Sequence, residues 1–344
     1  MHDDEGGTTS FFIVTLADSM LHIYIMRRII KYLTFIILSV TFLYAACDDE
    51  ITPPPYDGPW EKVPVPEGLS SWPYSISFTA PDDGWVACYG AVGHYDGEKW
   101  EVIKNFNTTD KEYFLLKIIT ISPTDIWIGG QVTRLRGDSN GVIIHYDGED
   151  WEITELPEML TVRALWFFPD GTGWGGGSYG FLYYDGTSWE LFESSGSVNG
   201  FYFLSKNEGW ASSLAYIYQW DGVEWTEVLK AEGDTWLYDI DFAAPDDGWA
   251  GGYHRTYHYD GTEWKRYDPL YKKDLYAIDF LNDHFGWGGY GRVYFYDGET
   301  WTEVDDGEGF SGYGYYDLFC VSENDVWGCA PTEEGYFLHF TGFD

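Results

Sequence analysis

A pattern reading GW…G…YDGxxW recurs along this chain and leaves little freedom of architecture. Its first Trp falls at Trp85, Trp127, Trp174, Trp210, Trp249, Trp287 and Trp327. The mean spacing is about 40 residues, the length of a four-stranded propeller blade. Its second Trp falls at Trp100, Trp151, Trp189, Trp225, Trp264 and Trp301, usually 15 residues after the first. In the second repeat the interval grows to 24. Between the two Trp stands an Asp-Gly pair, as at Asp96-Gly97 or Asp260-Gly261. Asp-Gly between aromatic runs signals a hairpin, because glycine takes positive φ without steric cost. Each unit therefore reads as four strands, the first alternating apolar residues such as Ile240 and Phe242.

The seventh repeat stops at His339-Phe340-Thr341-Gly342 and lacks its second Trp. The missing piece stands at the other end of the repeats. Tyr56-Asp57-Gly58-Pro59-Trp60-Glu61-Lys62-Val63 matches the turn and fourth strand of the other copies. An N-terminal strand that completes the last blade makes sense only for a closed ring, which removes open sheet edges. The expected fold is all-β: a seven-bladed β-propeller over residues 56–344, with four-stranded blades and that closure.

The GW–Gly–Asp-Gly–Trp pattern resembles the Asp-box-like repeats of photosystem II assembly-factor propellers. The YDGxxW strands are also similar to those of the periplasmic sensor propellers of two-component regulators. The likeness covers about residues 56–344 and implies architecture, without specifying chemistry.

Upstream, residues 26–46 read as a secretory signal: Arg27, Arg28 and Lys31, then an apolar stretch over 33–46 that is short for a membrane span. Cys47, after Leu43-Tyr44-Ala45-Ala46, resembles a bacterial lipobox, which implies lipidation of its sulfur and a bacterial lipoprotein. Residues 1–25, with Asp3, Asp4 and Glu5, read as an overextended gene start. Residues 47–55 form a linker with a stiff Pro53-Pro54-Pro55 run. Its Asp48-Asp49-Glu50 triplet either resembles the surface-export signal of Bacteroidetes-type lipoproteins or is a solvated spacer. The expected location is the bacterial cell envelope: the outer membrane, the cell surface or the periplasm.

Charge narrows the partners. The chain carries 57 acids and 19 bases, a net −38, which argues against nucleic acid as a ligand. Removal of residues 1–46 leaves −37. The 18 Trp look like a binding surface at first. Fourteen of them, counting Trp60, occupy repeat positions and read as packing between blades. Trp220 replaces a Tyr beside Asp221-Gly222, which leaves Trp72, Trp166 and Trp236.

Catalytic signatures are few. GxSxG, HExxH and CxxC are absent, and the arginines are scattered over several repeats without a triad spacing. No cofactor signature appears. First strands carry Asp239, Asp241, Asp279 and Asp317, which as inward carboxylates suit Ca²⁺. Cys320 and Cys329 flank a turn on paired strands and are candidates for a disulfide.

Variation concentrates on the face bearing the second-to-third-strand turns and the connections between blades, at 105–113, 232–236, 266–273 and 305–315. The second repeat inserts 131–140 there. Loops on a rigid scaffold are where function concentrates. Candidate ligand contacts on that face are Trp72, Trp166, Trp236, Arg134, Arg136, His254, Arg266, Tyr267, Tyr271, Tyr313 and Tyr315. The expected role is binding of a protein partner or a glycan, by a monomer held to the membrane through Cys47. The alternative is a carbohydrate-active enzyme, glycosidase- or lyase-like, using carboxylates at the channel mouth.

Overall fold

The computed structural model describes residues 60–70, 72–135, 137–157, 159–193, 196–233, 235–304, 317–329 and 336–342. The signal segment, Cys47, the linker, residues 56–59, Arg136, Tyr313 and Tyr315 lie outside these. Seven four-stranded antiparallel sheets follow one another as blades. The inner strands of blades I to VII are Pro73–Ala80, Lys111–Ser122, Val162–Phe167, Val198–Ser205, Leu237–Ala244, Ala277–Asn282 and Asp317–Ser322. A short 3-10 turn at Asp268–Leu270 is the one helical element among the described residues.

Closure is as the repeat phase demands. Trp60–Pro64 pairs with Tyr336–Phe340 as the outer strand of blade VII, in the register Trp60 opposite Phe340 and Pro64 opposite Tyr336.

The repeat residues have separable jobs. The first Trp of one blade packs against the second Trp of the next. Ring centroids lie 6.4 Å apart for Trp85–Trp151, 6.1 Å for Trp127–Trp189, 5.4 Å for Trp174–Trp225 and 5.5 Å for Trp249–Trp301. Trp327–Trp100 at 5.7 Å and Trp287–Trp60 at 5.3 Å carry the pattern across the closure. Trp210 and Trp264 share a core cluster at the remaining interface. Indole pairs thus fill the wedge between blades, where each adds dispersion and quadrupole attraction to its burial.

The glycine before the first Trp makes room for the inner-strand Phe. A Cβ on Gly84 would stand 2.2 Å from Phe78, and one on Gly248 2.5 Å from Phe242. At the hairpins the Asp caps the turn. Asp96 Oδ1 accepts the amides of Glu98 and Lys99 at 3.0 and 2.9 Å, and Asp221 Oδ1 those of Val223 and Glu224 at 2.9 Å each. These amides hold the Asp96 and Asp221 carboxyls below their ordinary value.

Two expectations change. The insert of the second repeat is largely strand: Asp125–Arg134 and Ser139–Tyr146 lengthen into a tall hairpin in blade II. Backbone pairing inside the extension satisfies polar groups that a long loop would leave to water. The disulfide between Cys320 and Cys329 is not formed. Cys320 stands opposite Val326 and Cys329 opposite Asp317, so the two thiols are not cross-strand partners. Both, and Cys88, are free and buried, and burial pushes all three thiols up.

Candidate functional site

In every blade one inner-strand residue pairs with the first Trp: Ser77, Ile119, Trp166, Tyr202, Asp241, Asp279 and Phe319. Two positions earlier stand Ser75, Lys117, Ala164, Gly200, Asp239, Ala277 and Asp317. Strand alternation turns both sets the same way, and they form two tiers along the channel.

Inner strands have one unpaired edge, so their amides need acceptors from elsewhere. Side chains of the preceding blade supply them. Asp317 Oδ2 accepts the Ser75 hydroxyl at 2.5 Å and the Ile76 amide at 3.1 Å, joining blade VII to blade I. Ser75 and Ser77 accept the amides of Ile118 and Thr120 in blade II at 3.1 and 3.2 Å. Asp239 and Asp241 accept those of Ile278 and Phe280 in blade VI at 2.9 and 2.8 Å. Asp279 accepts that of Cys320 in blade VII at 2.5 Å. The four carboxylates expected to suit Ca²⁺ hold backbone amides in this way. Among the described residues no group of three or more His, Cys, Asp or Glu side chains is arranged around a metal position.

The belt is electrostatically loaded. Burial raises Asp239 to about 7, although Lys117 and two backbone amides favour its charged form. Burial likewise raises Asp279 to about 6, and Asp241 rises through burial and its neighbour Asp279. Lys117 Nζ lies 3.3 Å from both Asp317 oxygens. Burial opposes its charge, but Asp317, Asp239 and Asp279 outweigh this and hold it above its ordinary range.

Above the first tier the channel opens into a cavity of about 700 Å³. Lys117, Arg163, Asp239 and Asp317 line it with Ser178, Ser197 and Asn199. Its wall is aromatic: Tyr74, Trp236, Tyr238, Tyr276 and Tyr290. Tyr276 stacks on Tyr238 at 3.8 Å and on Tyr290 at 3.7 Å. The lining comes from the starts of inner strands and from second-to-third-strand turns, so the cavity sits on the variable face.

The same face carries the exposed aromatics. Among the described residues, every exposed Trp or Tyr lies there: Trp72, Tyr179, Trp236, Tyr253 and Tyr271. Backbone bonds hold the rim together, Tyr89 amide to Trp72 carbonyl at 3.0 Å and Tyr253 amide to Trp236 carbonyl at 2.9 Å. His254 and Lys272 adopt φ of 63° and 65°, a left-handed conformation that costs non-glycine residues energy. They are joined by the Lys272 amide donating to the His254 carbonyl at 3.0 Å. His254 is pinned further by Asp274, whose Oδ1 accepts its amide at 2.7 Å.

The sequence candidates divide. Trp236 lines the cavity, and Trp72, Tyr271 and His254 stand on the rim. Arg134 pairs with Glu155 beside Lys111 in the tall hairpin of blade II, away from the mouth. Arg266 is held by Glu232 and Asp268. Tyr267 is half-buried, its ring 4.8 Å from that of Trp249 at a steep angle. Trp166 is a correction. It stands in the second tier, toward the other face, packed on Tyr202 and Phe203 of blade IV at 5.6 and 5.7 Å. Strand direction explains this: Val162 is at the variable face and Trp166 lies four residues farther down.

Sequence reasoning missed two features. Arg163, the second residue of its inner strand, enters the mouth, and no spacing in the sequence marks it. Four histidines also proved structural. His94, His145, His258 and His339 hydrogen-bond Asp83, Asp125, Asp247 and Asp325 at 2.6 to 2.8 Å. Each also packs on its blade's first Trp, closest at Trp127 and Trp327 with 3.9 Å. The signal was present: an Asp two residues before the Trp occurs in the same four repeats as the His.

No protein-family model matches the chain, and no curated protein matches it. Solved propellers do. YCF48 bound to a D1 peptide is similar with a TM-score of 0.61 at 17% identity, over 83% of this chain and 97% of that one. A streptogramin B lyase reaches 0.64 at 13% identity, over 81% and 96%. The extracellular domain of BT4673 from B. thetaiotaomicron, assigned to a hybrid two component system, reaches 0.61 at 12% identity. That match covers 83% of this chain and 40% of the other. These likenesses bear on fold: the chain is a seven-bladed β-propeller, similar in architecture to photosystem II assembly-factor and two-component sensor propellers.

Proposed function

We propose that this protein is an extracytoplasmic binding module whose ligand docks at the channel mouth and its aromatic rim, with a lipid anchor at Cys47. The observation that carries the reading is the segregation of exposed Trp and Tyr onto the face that holds the cavity. Such side chains offer large contact area at small entropic cost and keep a polar tip for hydrogen bonds. Fold analogy lends support: YCF48 is seen with a bound peptide, and the BT4673 propeller belongs to an extracellular domain.

Calorimetric titration with a panel of oligosaccharides and peptides tests the binding role. A true ligand loses at least tenfold in affinity on Trp236→Ala and is indifferent to Val223→Ala, at an exposed hairpin on the opposite face. A ligand sensitive to Val223 and indifferent to Trp236 refutes the docking site. For the anchor, Cys47→Ser moves the protein from the membrane to the soluble fraction; retention on the membrane refutes it.

A hydrolytic reading rests on Asp239, a cavity carboxyl raised to about 7 and thus able to act as a general acid near neutrality. Against it, both Asp239 oxygens already accept amides, from Ile240 and Ile278 at 2.9 Å each. Saccharide hydrolysis that is abolished in Asp239→Asn would establish it.

A further inference from the structure

The cavity holds a cation that the fold does not consume. Arg163 is exposed in the mouth, and its Nη1 donates to Ser197 Oγ at 3.2 Å. Among the described residues no carboxylate lies within ion-pair distance of it, although acids outnumber bases three to one, 57 against 19. Lys99, Lys111, Arg134, Lys206, Arg266 and Arg292 all have such partners on the surface. A guanidinium has five N–H donors in a planar fork that matches a carboxylate in two parallel bonds, and most of this fork is unspent.

Its surroundings narrow the ligand. Ser178, Ser197 and Asn199 line the cavity, each spending part of its capacity within the fold: Ser178 on Thr161 at 2.5 Å, Ser197 on Asn199 at 3.4 Å, and the Asn199 amide nitrogen on the Leu237 carbonyl at 2.7 Å. The Tyr238–Tyr276–Tyr290 stack with Trp236 provides an apolar wall. An extended peptide that adds to a sheet uses free edge amides. Here the inner-strand amides of Ile76, Ile118, Thr120, Ile278, Phe280 and Cys320 are already taken by side chains of neighbouring blades. At blades I, II, VI and VII recognition therefore falls to side chains. Beside blades III to V the lining calls for a flat C–H face against the aromatic wall, an anion for Arg163 and hydroxyls for the hydrogen-bonding capacity that the Ser and Asn groups retain.

We infer that the mouth takes an acidic saccharide, with a uronate carboxylate on Arg163 and the sugar ring against the Tyr and Trp236 wall. This rests on the binding-module reading and gives it a substrate class. The carboxylate meets Arg163 in a cavity partly closed to water, where the fork discriminates strongly between a carboxylate and its ester.

The test is calorimetry of the full chain with oligomers of galacturonate, glucuronate, mannuronate and guluronate, each beside its methyl ester, and with a peptide panel. At least one acid form binds tenfold or more tightly than its ester. Arg163→Gln removes that preference without changing the melting temperature, while Trp236→Ala weakens acid and ester together. Equal binding of acid and ester, or a preference that survives Arg163→Gln, overturns the carboxylate assignment and leaves the docking site standing. Binding of peptides with no uronate bound overturns the saccharide class alone. Failure of all the probes overturns this inference together with the docking site.

Discussion

Asp239→Asn should flatten the dependence of stability on pH. The carboxyl has an ordinary value of 3.8 and is raised to about 7 by burial in the channel. Folding therefore strengthens its hold on a proton. Below about pH 4 it is protonated in both states, and its contribution to stability is fully present. As pH rises toward 7 the unfolded chain gives up the proton first, and that contribution is lost. One pKa unit corresponds to about 1.4 kcal/mol, so the loss between pH 4 and pH 8 is at most about 4 kcal/mol. Asp279 and Asp241 are raised too and act in the same sense, as does self-repulsion in a chain of net −38. The informative quantity is therefore the difference between the two proteins. The amide of Asn keeps one acceptor where Asp239 uses two, so the variant forfeits about 1 kcal/mol at all pH values. It also removes a negative neighbour of Lys117. Urea melts followed by Trp fluorescence at pH 5 and pH 8 read both effects. The wild type should lose more stability on going from pH 5 to pH 8 than the variant, by roughly 1–3 kcal/mol, since about two pKa units of the shift lie in that window. The same loss in both proteins would falsify the raised carboxyl.

Two further outcomes check the fold. Trp60→Ala removes an indole packed on Trp287 and Phe340 at 5.3 and 5.5 Å, and should cost about 3–5 kcal/mol because the last strand of the ring is lost with it. A melting temperature within 2 °C of wild type, set against about 2 °C per kcal/mol, would disprove closure by this strand. With Cys47 replaced by Ser, a thiol reagent should find Cys88, Cys320 and Cys329 inert in the native protein and count all three after denaturation. A count of one after denaturation without reductant would restore the Cys320–Cys329 disulfide.

Much of the candidate site's location was legible before any coordinates. Repeat phase assigned turns to two faces, and the irregular segments pointed to the face that carries the cavity. Trp236 was found that way because six residues separate it from Phe242, as they separate Trp72 from Phe78. Trp166 misled because aromatic content says nothing about which end of a strand a side chain occupies. Loop arginines drew attention for their type, yet Arg266 is spent on Glu232 and Asp268 while Arg163, inside a strand, is not.

The division follows from the range of the forces involved. Blade number, strand count, hairpin chemistry, indole packing and the phase of closure are written in local periodicity, since each arises from residues within one repeat or from the repeat's truncation. The channel is different. Asp317 meets Ser75 across 242 residues and Lys117 across 200, and Asp239 meets Ile278 across 39. None of these residues carries a local mark of its partner. Only closing the ring brought seven inner-strand edges together, so that acids resembling a calcium site became acceptors for orphan amides. Arg163 was left facing the cavity with most of its donors unspent.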